Sequence, residues 1–162
     1  MAYSISVPYI GAQPIANTET TAKHPLGTIV RAVDPTYGEG EFIYLLGVAS
    51  TVVGSVVVYN DAGYQTTLAP AGSNLAEPIA IAMSANVASQ YGWYQIGGRA
   101  IAKKTSGLAI ASNAAVGVKT AGLISATGTG KEVQGALSIA KCTAATTCSL
   151  IINRPHMQGR IT

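Results

Sequence analysis

From Tyr91 onward the chain is written in short apolar segments, each cut off by glycine, serine or threonine after a strand's length. The segments 108–111, 115–119, 123–125, 133–140 and 149–152 recur at roughly the 8–12-residue spacing of all-β domains, and none carries a sustained helical period. Such a text predicts an all-β fold, a small sandwich or barrel of short antiparallel strands. The residues before it agree. Residues 28–33 form a β-branched run ending at Asp34-Pro35, and Tyr37-Gly38-Glu39-Gly40 reads as a loop. Strands are expected at 41–47 and 55–60, with a turn at Asn60-Asp61-Ala62-Gly63 returning the chain through 64–68 as a hairpin. Residues 78–90 mix two patterns, and the expectation is a strand followed by a short turn of helix at 86–90. Residues 92–102 read as one strand with a glycine bend or bulge in the middle, at Gly97-Gly98.

Three units follow. Residues 1–27 are expected to be an extended N-terminal arm, interrupted by Pro8, Pro14 and Pro25, in which Tyr3, Ile5, Val7 and Tyr9 alternate. A short alternating segment outside a body commonly adds a strand to a neighbour's sheet edge, so these four residues are candidate interface anchors. Residues 28–154 form the β body. Pro155 is expected to stop the last strand and open a tail over 155–162.

Charge now narrows the function. Only 10% of residues are charged, against about 25% in a typical soluble domain. Much of the surface must therefore be Ala, Gly, Ser and Thr, which costs little to desolvate and suits contact between subunits. Residues 1–81 carry two cations against six carboxylates, and 82–162 carry eight cations against one. That asymmetry permits head-to-tail pairing of copies or docking on an acidic partner. The cations are scattered, only Lys103-Lys104 are adjacent, and no aromatic–basic stripe accompanies them, so no direct nucleic-acid binding is expected. Met1-Ala2-Tyr3-Ser4 lacks the basic and apolar regions of a signal peptide. The uncharged stretches 42–60 and 78–98 are flanked or punctuated against a membrane span: Glu39, Glu41 and Asp61 border the first, and Gly47 and Gly54 break it. Buried strands are the expectation, with no membrane partner. Two cysteines, Cys142 and Cys148, could face one another across a hairpin but make no disulfide framework, and free thiols are expected of a chain made in a reducing cytoplasm.

Catalysis needs polar groups that converge. Gly128-Thr129-Gly130-Lys131 lacks the earlier glycine and following Ser/Thr of a phosphate loop, having Ser125 and Glu132 in those places. Ser138 and Lys141 hold a serine–lysine spacing without the companion motifs of acyl-transfer enzymes. Glu39 and Glu41 share one side of a strand and cannot flank a sugar bond from opposite sides; a charged strand edge explains them better. His24, His156 and the cysteines show no metal-ligand spacing. No catalytic residue, cofactor or metal is expected.

The succession from Gly40 to Ala100, above all Gln90-Tyr91-Gly92-Trp93-Tyr94-Gln95-Ile96, resembles the small capsid decoration, or cement, proteins of tailed bacteriophages. The close Asn153-Arg154-Pro155 is also similar. The resemblance implies a β domain on the outer surface of a virion shell, made in the bacterial cytoplasm. It would bind the major capsid protein and copies of itself, as dimer or trimer, and brace the shell against packaged DNA. It implies no catalytic residues. Within it, Tyr91, Trp93 and Tyr94 are either core or interface aromatics, with core packing favoured. Arg99, Lys103, Lys104 and Arg154 are candidate docking charges. A tail or fibre domain that recognises a glycan or protein receptor is the alternative, and a small enzyme on a β scaffold is a distant third.

Overall fold

The computed structural model describes residues 4–5, 13–143 and 145–160. Among them are twelve strands and no helix. In chain order they are β1 Ser4–Ile5, β2 Thr18–Glu19, β3 Ile29–Asp34, β4 Gly38–Leu46, β5 Val56–Tyr59, β6 Thr66–Leu68, β7 Ile79–Ala82, β8 Tyr91–Lys103, β9 Ala115–Thr120, β10 Leu123–Ala126, β11 Glu132–Ser138 and β12 Thr147–Met157. The strands pair antiparallel in the order β1-β3-β4-β8-β12-β11-β9-β10, and β5, β6 and β7 join this path through β8. The sheet curls into a half-barrel, which is the expected all-β class.

β8 is the spine. Its 13 residues pair with β4 along residues 91–98 on one side, and on the other with β7 near Tyr94 and with β12 from Gly97 to Lys103. Next to it the β3–β4 hairpin closes on Asp34, whose Oδ1 accepts hydrogen bonds from the Thr36 N–H (2.7 Å) and the Tyr37 N–H (2.9 Å). A carboxylate that satisfies two turn amides sets the hairpin register, and β4 starts at Gly38, inside the segment expected as loop.

Three apolar clusters fill the fold. One lies inside the half-barrel and joins Val116, Ile124, Leu150 and Ile152 to Ile79 and Ile81. A second packs Ile15, Phe42, Tyr44, Met83 and Trp93 together, and a third packs Ile43, Leu45, Tyr94 and Ile96 against Val57 and Ala80. The last two cover opposite faces of the β4–β8 pair. Residues 13–27 supply part of that cover: Ile15 is buried, and β2 pairs with Tyr91 and Gly92. Of the expected arm anchors, Tyr3, Val7 and Tyr9 lie outside the described residues. The Ile5 backbone pairs with Ala32 of its own chain, and Ser4 Oγ donates to the Val33 carbonyl at 3.3 Å.

Several expectations are corrected. Residues 86–90 form no helix: the Asn86 side chain is buried against Gly92, its backbone lies against Gly47, and Ser89 takes a left-handed φ of 62°. Residues 108–111 are not a strand, and only Ile110 bridges, to Cys142. The last strand continues past Pro155 to Met157, because the proline sits in a bulge where no ladder N–H is required of it. Cys142 and Cys148 are joined in a disulfide, with Cα atoms 5.7 Å apart. The Ile110 bridge holds one cysteine and the pairing of Cys148 with Ala102 holds the other, so the two thiols meet across the loop between them.

Candidate interaction surface

Three adjacent strands lose their in–out alternation at the same level of the sheet. In β8 two successive residues, Gly98 and Arg99, are both partly exposed; in β12 Asn153 and Arg154 are both exposed; in β11 Gln134 and Gly135 are both exposed. Two register shifts lie at this level. Glu41 pairs with Gly97 while Phe42 pairs with Gln95, which leaves Ile96 unmatched on β8. Gln134 pairs with His156 while Ala136 pairs with Ile152, so Gly135 alone faces residues 153–155. These bulges line up as a seam from β4 to β11. A bulge inserts an extra residue and re-aims the next side chain, and here it brings Arg154 to the solvent-facing side beside Asn153.

The backbone of the seam is specialised. Gly98 has φ +90° and Gly135 +74°, conformations open to glycine at little cost. A Cβ on Gly98 would meet the Glu39 carbonyl. Arg154, with φ +41°, takes the left-handed region without being glycine. Carbonyls displaced from the ladder find a partner in Gln95, which is fully buried and donates from Nε2 to the Gly97 carbonyl at 3.0 Å and the Arg99 carbonyl at 3.1 Å. Gln95 thus holds the bulge from below.

Above the seam lies an open groove of about 510 Å³, floored by Gly97 and walled by Arg31 and Glu41 on one side and Ile151, Asn153 and Arg154 on the other. Opposed residues in an antiparallel pair share a face, so the row Arg31–Glu41–Gly97–Asn153 runs straight across β3, β4, β8 and β12. The groove exists because the third place in that row has no side chain. Glu41 Oε1 accepts from Arg31 Nη2 at 3.1 Å and Glu41 Oε2 from Arg154 Nε at 3.3 Å, while Glu39 stands 4.0 Å from Arg31. Both guanidiniums are more than half exposed. Pairs this open add only about 0.2–1 kcal/mol each to stability. Arg154 also acts at a distance on Tyr59: burial raises that phenol's pKa, and the arginine's charge opposes the rise.

The same face continues as exposed apolar surface. Ile151 and Leu137 are cross-strand partners and 48% and 47% exposed. They edge a second hollow of about 350 Å³. Arg99 lies opposite Ile151, stacks over the Tyr37 ring at 5.0 Å and donates from Nε to Ser149 Oγ at 3.1 Å. Beyond it, Val53 (55% exposed), Tyr37 and Ile101 line a third hollow of about 250 Å³. Ile29 and Val33 add aliphatic surface on β3.

The expected site residues divide between this face and the interior. Arg99 and Arg154 are brought together on it, and Lys103 is half-buried at the far end of β8. Lys104 is not a docking charge. It is 2% exposed, and its Nζ donates to the Thr105, Leu108 and Thr143 carbonyls, because the next residue along β8 points inward. Trp93 and Tyr94 are fully buried and belong to the core, whereas Tyr91 packs partly exposed at its margin. Trp93 sits 5.0 Å from Tyr44 and 5.4 Å from His24, and burial lowers the His24 pKa. Sequence reasoning missed Gln95 and Arg31. A polar residue amid Trp93-Tyr94 and Ile96 was the available sign of the first.

The motifs that resemble reactive ones have structural duties. Lys131 Nζ donates to the Ala71 carbonyl at 2.7 Å, and Gly130 has φ +68° in the β10–β11 turn. Ser138 is buried, and its Oγ accepts from the Ala114 N–H at 3.0 Å. Glu39 and Glu41 meet Arg31. Among the described residues no three metal-ligating side chains cluster, and no helix is long and apolar enough to cross a membrane.

No known family model matches the chain, and no curated protein matches it.

Proposed function

We propose that this protein is a structural virion component that binds the outer surface of a phage capsid and cements neighbouring major capsid subunits. One observation supports this reading above the rest. The solvent-facing side of β3, β4, β8, β12 and β11 presents Ile29, Val33, Leu137 and Ile151 around a groove walled by arginines, on a rigid sheet with a buried spine. Apolar patches flanked by arginine and tyrosine are the usual make-up of protein-binding surfaces. The residues 90–96, which carry the resemblance to decoration proteins, lie directly under this face and hold its bulge through Gln95. In this role the protein performs no chemistry, needs no cofactor, and acts with copies of itself at repeated sites, where symmetry multiplies weak contacts into high avidity.

Mixing the purified protein with undecorated capsids of its parent phage and imaging the particles tests the proposal. Ordered density on the outer shell and a rise in capsid melting temperature are expected. Bare shells after saturating incubation would defeat it, and glycan-array binding without shell binding would favour the receptor-binding alternative.

A further inference from the structure

The groove on the seam is more specific than an apolar patch. Arg31 and Arg154 come from strands far apart in sequence and converge on one carboxylate, Glu41. Arg31 engages Glu41 through Nε and Nη2 and faces Glu39 with Nη1. Among the described residues Arg154 hydrogen-bonds through Nε alone, which leaves the outer fork of its guanidinium toward the groove. The backbone incurs strain to put it there: Arg154 is a non-glycine residue at φ +41°, at the centre of a bulge that sets three residues against Gly135. A left-handed non-glycine residue is strained and persists where the surroundings demand it. In regular alternation this arginine would face the half-barrel's apolar interior beside Ile152. The floor is glycine, which lets another main chain approach closely.

We propose that this groove is a carboxylate-recognition site for an acidic side chain on an extended segment of a protein partner, with Arg154 as the principal contact and Arg31 as its support. Guanidinium binds carboxylate through two parallel hydrogen bonds, a geometry that ammonium cannot reproduce. Glu41 orients both arginines by one oxygen each and leaves the outer guanidinium edge of Arg154 for the incoming group. Ile151 and Leu137 lie alongside to take the aliphatic neighbours that an alternating strand places two residues away. The partner is therefore an exposed strand or arm in which acidic and aliphatic residues share one face. Under the shell-binding reading, on which the partner's identity rests, that segment belongs to the major capsid protein.

The experiment uses two peptides labelled with fluorescein at the N-terminus, Thr-Val-Thr-Glu-Thr-Val-Thr-amide, in which Val and Glu share one face of a strand, and its Gln counterpart, titrated against the whole protein by anisotropy. The Glu peptide is expected to bind at least about tenfold tighter than the Gln peptide, and the advantage to shrink as salt screens the charges. Arg154→Gln should abolish the discrimination, and Arg154→Lys should recover only part of it. Lys119→Gln, a loss of equal charge elsewhere on the surface, should leave it intact, with all variants melting near the parent temperature. Equal binding of both peptides, binding of neither, or an Arg154→Gln protein that still discriminates would overturn the site. Capsid binding is scored separately. A protein that coats shells but treats the peptides alike retains the cement function and loses the carboxylate site; discrimination without coating does the opposite.

Discussion

Residues 91–96 and 97–103 belong to one continuous strand, yet they meet different physics. In the first part every residue from Gly92 to Ile96 is buried, because β4–β8 is covered by the Ile15–Met83 cluster on one face and by β5–β7 on the other. In the second part burial alternates, with Ala100 and Ala102 inward and Arg99, Ile101 and Lys103 outward. The bulge at Ile96, followed by Gly98 in a left-handed conformation, divides the two. Large aromatic residues occupy the doubly covered part, where they bury most area. Small alanines line the half-barrel in the second part, and its outward residues are partly exposed. A single strand can thus anchor the fold with one end and present an exposed face with the other.

The largest test of that contrast is Trp93→Ala. With Trp93 fully buried against Tyr44 and His24, the loss should be about 3–5 kcal/mol, read as a fall in the urea unfolding midpoint. A loss below about 1 kcal/mol would show that the doubly covered part is not the mechanical anchor. Next comes Gln95→Leu, which removes the donor to the Gly97 and Arg99 carbonyls. It should cost about 2 kcal/mol, since buried carbonyls lose their partner. Amide exchange should quicken at residues 97–99 more than at 100–103, because the bulge is what the amide holds.

Ile151→Ser sharpens the other side of the contrast. Ile151 is 48% exposed, so stability should change by no more than about 0.5 kcal/mol, while capsid occupancy under the proposed function should fall severalfold. Unfolding without loss of binding would reverse the roles assigned to the two parts.

The smallest effect expected is a pH dependence located in the buried part. Burial lowers the His24 pKa below its ordinary 6.5, so the folded protein holds the ring neutral where the unfolded chain protonates it. As pH drops through 6.5 toward the folded value, the unfolded chain binds more protons and stability declines. His24 Nε2 pairs with Gln13 Oε1 at 2.7 Å, so this decline should accompany loosening of the 13–27 cover on Trp93. Urea midpoints at about pH 7.5 and 5.5 should differ more for the parent than for His24→Gln. Equal differences would remove His24 as the cause.

Legibility followed the range of the interactions. Strand identity in 29–34, 56–59 and 115–120 was readable because β-branched runs and glycine or asparagine turns act within a few residues. The bulge in 92–102 was readable from Gly97-Gly98. The burial of Lys104 was not, since it depends on carbonyls from Leu108 and Thr143 folding over the end of β8. The disulfide escaped for a related reason: Cys142 and Cys148 become neighbours through Ile110 and Ala102, which lie outside their own segment. Nor did Asn153-Arg154-Pro155 announce a strand interior, because proline ends strands unless a partner's bulge excuses its missing N–H.

By itself the sequence determined that this chain is all-β, sparing in charge, and without a local motif for catalysis. Those properties are set by each residue's own backbone preference and side-chain chemistry. Only the tertiary structure decided which charges share a face. Arg31, Glu41 and Arg154 converge because two registers slip at one level of the sheet, and a register is a property of paired strands that no single segment contains.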